Sequence, residues 1–278
     1  MTKNKCTYKS YDGQCCEQDD LGAGFCFWHD ESIDKSNMPL SERLEQLAKT
    51  GALLQGLKLA RADLTNVNLV RHGQKEGYDL RHCDFYRANL THAHLFNANL
   101  EGTSLMKAKL NEANLHCANL HNCNLLGVKL TNARLDNIKL GHYVQQEAVA
   151  KRADLRGERE KAVDYYEQSE EIYRALRKAA DDDGLTKLAG KLAYKELTMQ
   201  RKQRNKFSAE RITLKFVDLF CGYGEKPMNV IVFSMALILL SAFAYYFLGV
   251  DSENGVIQFN TNHSFSQNLQ DLGSSIYF

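Results

Sequence analysis

The chain has 278 residues, which leaves room for two or more domains, and its 35 Lys and Arg nearly balance its 34 Asp and Glu. This balance excludes the overall basic footprint that many nucleic-acid-binding proteins carry. The first ten residues are polar, which argues against a secretory signal peptide, and the eight cysteines are too scattered for a secreted disulfide framework. We therefore expect a cytosolic start of the chain, where thiols stay reduced.

Residues 1–35 concentrate side chains that bind metals. Four cysteines and one histidine lie within 24 residues: Cys6, Cys15, Cys16, Cys26 and His29. Two residues separate Cys26 from His29, so both side chains can reach one ion, and Cys6 with either Cys15 or Cys16 would complete a tetrahedral Cys3His set. Four protein ligands with no open coordination position are typical of structural zinc. A segment this short also has too small a hydrophobic core to be stable without a bound metal or a disulfide. We predict a zinc knuckle. The less favoured alternatives are free cysteines in a flexible N-terminal segment and a catalytic Cys–His pair.

Residues 36–50 predict a helix with one apolar face, formed by Leu40, Leu44 and Leu47, and with Ser41 as its N-cap. A stack of repeats needs a cover over its first coil, because an open edge invites pairing with other chains. We expect this helix to be a capping helix for the segment that follows.

From residue 51 to 141 a leucine or its equivalent returns every five residues, with no miss at the thirteen positions from Leu80 to Leu140. A second inward candidate, usually small, stands two residues before each leucine, and the residue between them is mostly polar. A period of five fits neither a helix nor a strand, whose side chains repeat at 3.6 and 2 residues. A short fixed period instead indicates stacked repeats. The economical arrangement is a square coil with one pentapeptide on each side and about 4.8 Å between coils.

The segments Ala88-Asn89-Leu90, Ala98-Asn99-Leu100 and Ala118-Asn119-Leu120 resemble the A(D/N)LXX signature of pentapeptide repeat proteins. The resemblance implies a right-handed quadrilateral β-helix over residues 51–141. The predicted fold class is therefore mainly β, with this β-helix followed by an α-helical hairpin and one transmembrane helix. Cysteine clusters that end in a run similar to Cys26-Phe27-Trp28-His29 also precede such repeats, which supports the zinc interpretation.

The period is broken once. Leu69 and Leu80 are eleven residues apart instead of ten. We interpret residues 71–77 as a bulge or small loop, with one residue inserted at a corner.

The repeat segment carries eleven Lys and Arg against seven Asp and Glu, a net charge of +4, and six histidines besides. Some pentapeptide repeat proteins resemble B-DNA in shape and charge and protect DNA gyrase, which requires an acidic surface. A positive stack is a poor phosphate mimic, so gyrase protection is the less favoured alternative. We interpret the histidines as solvated surface, and Cys83 and Cys123, at the small inward position, as core.

Residues 142–226 predict an α-helical connector. Apolar residues at spacings of three and four indicate one amphipathic helix from Glu158 to Ala180 and another from Leu185 to about Arg204. The turn at residues 181–184 joins them into an αα-hairpin. The carboxylates here are interleaved with Lys and Arg, as on a solvated face, and do not suggest catalysis.

Residues 227–250 predict a transmembrane helix. Val230–Val250 is 21 residues without a charge, which as a helix covers the roughly 30 Å of a bilayer core. Seven Lys and Arg lie between residues 201 and 226, and none follows Lys226. By the positive-inside rule we expect a single-pass protein of the bacterial inner (cytoplasmic) membrane with residues 1–226 in the cytoplasm.

Residues 251–278 predict an extracytoplasmic loop and a short helix. Residues 264–278 resemble the pore-helix segment of two-transmembrane potassium channels, and residues 171–178 and 194–197 resemble a hairpin that connects pentapeptide repeats to a membrane pore. The resemblance implies a tetramer. The Gly-Tyr-Gly at residues 222–224 precedes the span and is interpreted as a turn, so the chain ends before a selectivity filter and conduction by these residues alone is not expected.

No nucleophile is paired with a base and no phosphate-cradling loop occurs, so we do not expect an enzyme. The favoured function is a membrane-anchored pentapeptide repeat protein that resembles the N-terminal part of a potassium-channel-like ion channel, with the coil as a cytoplasmic interaction or regulatory arm. The alternative is a protein-interaction scaffold with one transmembrane helix and no channel ancestry. Expected partners are the membrane, further copies of the chain and an unidentified protein, but no nucleic acid.

Overall fold

A computed structural model of the chain describes residues 4–252, 255–257 and 265–275. The chain divides into two compact units, Met1–Ser208 and Ala209–Phe278. The first unit holds the repeat segment and the helices α1 (Ser41–Lys49), α2 (Gln145–Leu155), α3 (Arg159–Asp182) and α4 (Thr186–Gln203). The second holds α5 (Ala209–Cys221), α6 (Pro227–Leu248), the antiparallel strands β1 (Val250–Ser252) and β2 (Gly255–Ile257), and α7 (Phe265–Ser275).

The repeat segment is a stack of coils. From Asp79 onward, parallel bridge partners lie twenty residues apart, as in Asp79 with Asn99 and Asn99 with Asn119. The Leu100 N–H donates to the Asn119 carbonyl at 2.9 Å, and the Asn119 N–H donates to the Ala98 carbonyl at 2.9 Å. Four pentapeptides therefore complete one coil, and each coil is hydrogen-bonded to the next.

Each corner of a coil is a tight turn with a left-handed residue. The Ala98 N–H donates to the Leu95 carbonyl at 3.1 Å across such a turn, and Asn97 inside it has φ 56°. The equivalent residue of the next repeat is Gly102, with φ 68°. Glycine and asparagine adopt this backbone conformation more readily than other residues, which explains their frequency two residues after a leucine.

The predicted fold class, mainly β with a right-handed quadrilateral β-helix, is wrong. Over residues 51–141 the structure has turns and isolated bridges, and the described part of the chain is mostly helical. A corner arrives every five residues, so each side of a coil is too short for a continuous strand. The three-residue strands β1 and β2 are the regular strands among the described residues.

The inward positions form the core of the stack, as predicted. Ala98, Leu100 and Ala118 are fully buried. Cys83 and Cys123 also belong to this core, and their thiols donate to the backbone carbonyls of Leu54 at 3.0 Å and Leu100 at 2.9 Å. Burial raises the pKa of each thiol to about 12, so neither is a reactive thiolate.

The bulge is larger than the leucine spacing suggests. Lys58 pairs with Asp84 and Asp63 with Asn89, so partners here are 26 residues apart, six more than in the later coils. The prediction of one inserted residue over residues 71–77 is therefore wrong. The eleven residues from Leu69 to Leu80 comprise one five-residue side and a six-residue insertion.

The segment before the repeats continues the ladder and packs on it. The Leu40 N–H donates to the Asp63 carbonyl at 2.9 Å, and Leu44 and Leu47 of α1 are buried. Ser41 is the first residue of α1 and not its N-cap, so that prediction is wrong. Its hydroxyl instead donates to the Thr65 carbonyl at 2.8 Å, which ties the helix to a coil.

The second unit contains the apolar helix. Within the described ranges, α6 is one helix that is long and apolar enough to cross a membrane. Its large side chains, such as Leu237 and Leu240, are exposed. A 3-10 turn at Gly222–Gly224 precedes it, and α7 covers most of the segment that resembles a pore helix. The last part of that segment, residues 276–278, lies outside the described residues.

Candidate metal centre

Two local structures bring the N-terminal metal-ligand side chains together. Antiparallel pairing places Cys6 and Cys16 near each other: the Cys6 N–H donates to the Gln18 carbonyl at 2.9 Å, and the Cys16 N–H donates to the Tyr8 carbonyl at 3.0 Å. A turn places Cys26 beside His29, whose N–H donates to the Cys26 carbonyl at 3.1 Å. Residues far apart in the chain thus form one cluster.

The four ligand atoms have the spacing of a tetrahedral zinc site. All of them lie within 4.8 Å of one another, and all four residues are buried. The Cys16 and Cys26 Sγ atoms are 3.8 Å apart, and His29 Nδ1 lies 3.3 Å from Cys26 Sγ and 3.7 Å from Cys6 Sγ. Tetrahedral zinc with ordinary bond lengths requires about 3.8 Å between two sulfurs and about 3.6 Å between sulfur and nitrogen. The donor set and its dimensions therefore fit zinc.

A second hydrogen bond orients the His29 ring. Its Nε2–H donates to the Gln55 carbonyl at 2.9 Å, which leaves Nδ1 of the neutral ring without a proton and facing the thiols. Burial lowers the pKa of His29 and so favours this neutral form. Metal-binding histidines are commonly oriented through the other ring nitrogen in this way. Because Gln55 belongs to the first coil, the same contact joins the knuckle to the repeats.

Metal binding at this cluster is coupled to the loss of thiol protons. Burial raises the pKa of Cys16 to about 12 and raises the pKa of Cys26 as well. Without a metal ion these thiols therefore keep their protons, and an incoming divalent ion would displace them. Metal affinity should accordingly fall as the pH falls.

The knuckle packs tightly on the first coils. The Tyr8 ring stacks on the His29 ring, with centroids 4.0 Å apart, and its hydroxyl end lies against Gly56. A Cβ at Gly56 would lie 1.9 Å from the Tyr8 hydroxyl oxygen, so only glycine fits this corner. An ion pair between Asp12 and Arg81 adds a second tie between the two parts.

Of the five predicted ligand residues, the structure brings four together. The sequence left Cys15 and Cys16 as alternatives, and it is Cys16 that lies in the cluster. Cys15 is exposed. Adjacent residues in an extended segment point to opposite sides, so one of the pair had to face away.

An ionic cluster around the buried Glu147 links α2, α3 and α4, and no sequence motif indicated it. Glu147 has a side chain only 2% exposed, and its carboxylate accepts hydrogen bonds from the Tyr173 hydroxyl at 2.5 Å and from Lys195 Nζ at 3.2 Å. Lys151 Nζ lies 2.8 Å away, and Lys195 also donates to the His142 carbonyl at 2.9 Å. The interpretation of the connector's carboxylates as a solvated face is therefore wrong for Glu147.

The charges in this cluster set its pKa values. Burial alone would raise the pKa of Glu147, but hydrogen bonds from Lys151 and Tyr173 and the charge of Lys195 outweigh burial and lower it. Burial and the Glu147 carboxylate raise the pKa of Tyr173. Glu147 is thus a buried carboxylate held by two lysines, with a structural role at the junction between the repeats and the hairpin.

A family model of pentapeptide repeats, in eight copies, matches residues 79–111 and 103–141 of the chain. A comparison with curated proteins finds no match. The match covers the part of the stack in which every coil has twenty residues.

Several solved structures resemble the chain over about a third of its length. One is a pentapeptide repeat protein of the Arabidopsis thaliana thylakoid lumen, with 28% identity and a TM-score of 0.28, covering 32% of this chain and 57% of its own. HetL, from the cyanobacterium Nostoc and involved in heterocyst differentiation regulation, has 28% identity and a TM-score of 0.23. The similarity covers 31% of this chain and 48% of HetL. A pentapeptide repeat protein from the cyanobacterium Cyanothece has 21% identity and a TM-score of 0.24, covering 37% and 97%.

The chain thus spans about half the length of the first two of these proteins. The family match, the twenty-residue coil and the buried leucine and alanine positions coincide over one segment. Residues 79–141 of the chain therefore contain pentapeptide repeats.

Proposed function

We propose that this chain is a membrane-anchored pentapeptide repeat protein whose coil is an interaction arm. The observation that carries the proposal is α6, a helix of 22 residues without a charged side chain and with exposed leucines along it. A helix of this length covers the hydrocarbon thickness of a bilayer. Exposing these apolar side chains to water costs free energy, whereas exposing them to lipid acyl chains does not.

The charge distribution supports an orientation. All the Lys and Arg around α6 precede it, seven of them between residues 201 and 226. Under the positive-inside rule, residues 1–226 then face the cytoplasm of a bacterium and the residues after α6 lie outside. The cytoplasm is also the compartment in which the Cys3His cluster would keep its thiols reduced and bind zinc.

The coil offers binding surface and no catalytic constellation that we recognise. Its inward positions are filled by leucine, alanine and cysteine, so its outward residues are free to vary with a partner. Its net charge of +4 disfavours gyrase protection by DNA mimicry and leaves an unidentified protein as the expected partner. We propose zinc as the structural metal of the N-terminal knuckle.

We further propose that the second unit is related to potassium-channel-like pore domains. Support comes from the order of its elements, an apolar helix followed by the short helix α7, at the position of the resembling segment. A relative of such channels should be a tetramer. Native mass spectrometry of the full chain in detergent should give a mass of four chains, whereas a monomer or dimer would favour an anchored scaffold without channel ancestry.

Alkaline extraction tests the anchoring itself. Membranes from cells that produce the full chain should keep the protein in the pellet after a high-pH wash, because α6 is held by the hydrocarbon and not by charge. A peripheral membrane protein of known behaviour is the control and should be released. Release of the chain together with that control would overturn the anchoring proposal.

A further inference from the structure

The positive charge of the repeat segment is confined to two adjacent sides of the stack. These sides comprise residues 57–65, 83–91, 103–111 and 123–131, and they carry six Lys and Arg against two Asp. The rest of residues 51–141 carries five Lys and Arg and five Asp and Glu, which cancel. The net charge of +4 therefore belongs to two of the four sides.

Basic side chains of successive coils are stacked on these two sides. Lys109 and Lys129 are parallel bridge partners, and Arg87 and Lys107 are twenty residues apart at the same corner. We call these four residues the basic surface. All four are exposed, and in the part of the chain that the structure describes no acidic side chain forms an ion pair with any of them. Because coils are about 4.8 Å apart, the like charges repel one another and destabilise the stack.

The other sides place histidines beside acids on successive coils. His121 Nδ1 lies 3.4 Å from Glu101 Oε1, and His116 Nδ1 lies 3.6 Å from Asp136 Oδ2. The two residues of each pair are twenty positions apart, so each pair joins one coil to the next. The stack can therefore carry complementary partners between coils, and the basic surface lacks them. An acidic partner bound there would relieve the repulsion.

An apolar column runs beside the basic surface. Tyr86, Met106 and Leu126 follow one another on successive coils and are half-buried. The Arg87 N–H donates to the Met106 carbonyl at 2.9 Å, and the Lys107 N–H donates to the Leu126 carbonyl at 2.8 Å. The Arg87 guanidinium also lies 5.2 Å from the centre of the Tyr86 ring. Tyrosine, methionine and arginine are enriched in protein–protein interfaces, so this combination is typical of a surface that binds protein.

Helix α3 borders the basic surface at the last coil. The corner residue there is Gly127, and a Cβ at this position would lie 3.1 Å from Lys107 Cγ and 4.0 Å from Glu171 Oε1. The chain thus places a carboxylate of its own beside the end of the basic corner, and the preceding coils are left to a partner.

We propose that the basic surface binds an acidic segment of another protein, with carboxylates at the stacked bases and apolar side chains on Tyr86 and Met106. The proposal rests on the role of the coil as an interaction arm and names the chemistry of its partner. Charge complementarity favours an acidic partner. The apolar column favours protein over nucleic acid, because phosphates bind the bases but make no use of methionine and leucine.

The test selects binders from a library of random short peptides, with the full chain in an uncharged detergent as bait. K107E/K109E reverses two charges of the basic surface. K75E/K139E reverses two charges elsewhere in the repeat segment and is the matched control, because both variants change the net charge equally. Glu112 has the same left-handed φ of 58° as Lys107, so glutamate is compatible with this corner.

Peptides selected by the unchanged chain should be rich in Asp and Glu and should also contain apolar side chains. Their binding should weaken about tenfold or more in K107E/K109E and less than about twofold in K75E/K139E. Met106→Gln should weaken binding as well, since the apolar column is part of the site. Rising salt should also weaken binding, because exposed charges are screened.

The outcomes separate this inference from the proposed function. Selected peptides without an acidic bias, or equal weakening in the two charge variants, would overturn the inference and leave the coil as an interaction arm. Selection of no peptide above empty detergent micelles would count against the arm itself. Random single-stranded DNA or RNA that binds more tightly than the selected peptides, and is lost in K107E/K109E, would overturn the assignment to a protein partner.

Discussion

Replacing Cys26 by serine should reduce the metal content of the purified chain from about one zinc ion to nearly none. Cys26 Sγ is the closest thiol to His29 Nδ1, at 3.3 Å, and also lies 3.8 Å from Cys16 Sγ. Structural zinc contributes on the order of 10 kcal/mol of binding free energy in small domains. Metal analysis of the full chain gives the stoichiometry, and hydrogen exchange should show lost amide protection in the knuckle.

Cys15→Ser is the matched control, because Cys15 is adjacent in sequence but exposed and outside the cluster. It should keep the metal and the protection of the knuckle. The far coils, whose core includes Leu100 and Ala118, should keep their protection in both variants. Metal retention in Cys26→Ser, or an equal loss in Cys15→Ser, would contradict the assignment of the ligands.

The second large effect is expected at Glu147. Changing Glu147 to alanine leaves Lys151, Lys195 and the Tyr173 hydroxyl without the carboxylate that holds them. Water can partly solvate the two lysines, which are 30% and 28% exposed, so the expected cost is that of an unsatisfied buried donor at Tyr173, about 1–3 kcal/mol. Hydrogen exchange of α2, α3 and α4 in the detergent-solubilised chain should show a loss of protection of this size.

Glu167→Ala is the control for this variant, since Glu167 is an exposed acid of α3 and its loss should change stability by less than about 0.5 kcal/mol. The pH dependence has a definite sign. The folded-state pKa of Glu147 is lowered below its ordinary value of 4.5, so the stabilisation is complete above pH 4.5 and is lost as the pH falls through the folded-state pKa. Protection in Glu147→Ala that equals the Glu167→Ala value would show that the cluster contributes little.

The sequence was informative where one residue type repeats. Every fifth leucine predicted the buried positions, and Leu100 and Ala98 are fully buried. The left-handed corner residues were missed, although asparagine and glycine at positions such as Asn97 and Gly102 were a signal for them. The prediction of a mainly β fold was wrong, although the family resemblance correctly indicated that the chain winds in stacked coils. A turn follows every five residues, so each side of a coil forms an isolated bridge and not a continuous strand.

The candidate site was predictable in composition but not in pairing. The spacing of Cys26 and His29 indicated a shared ion, while the choice of Cys16 over Cys15 depends on which face of an extended segment turns inward. Glu147 carried no usable signal, because a buried carboxylate and a solvated one look alike among neighbouring lysines. Its burial arises from the packing of three helices, which local sequence does not encode.

Trypsin digestion from each side of the membrane tests the central claim of an anchored, cytoplasm-facing repeat protein. Lys and Arg are abundant up to Lys226 and absent from residues 227–278, so trypsin can act only on the side where the repeats lie. Inverted vesicles should lose the repeats and keep a membrane-bound fragment that begins within the basic run, whereas spheroplasts should leave the chain intact. Cleavage of the repeats in intact spheroplasts, or the absence of any membrane-bound fragment from inverted vesicles, would contradict the claim.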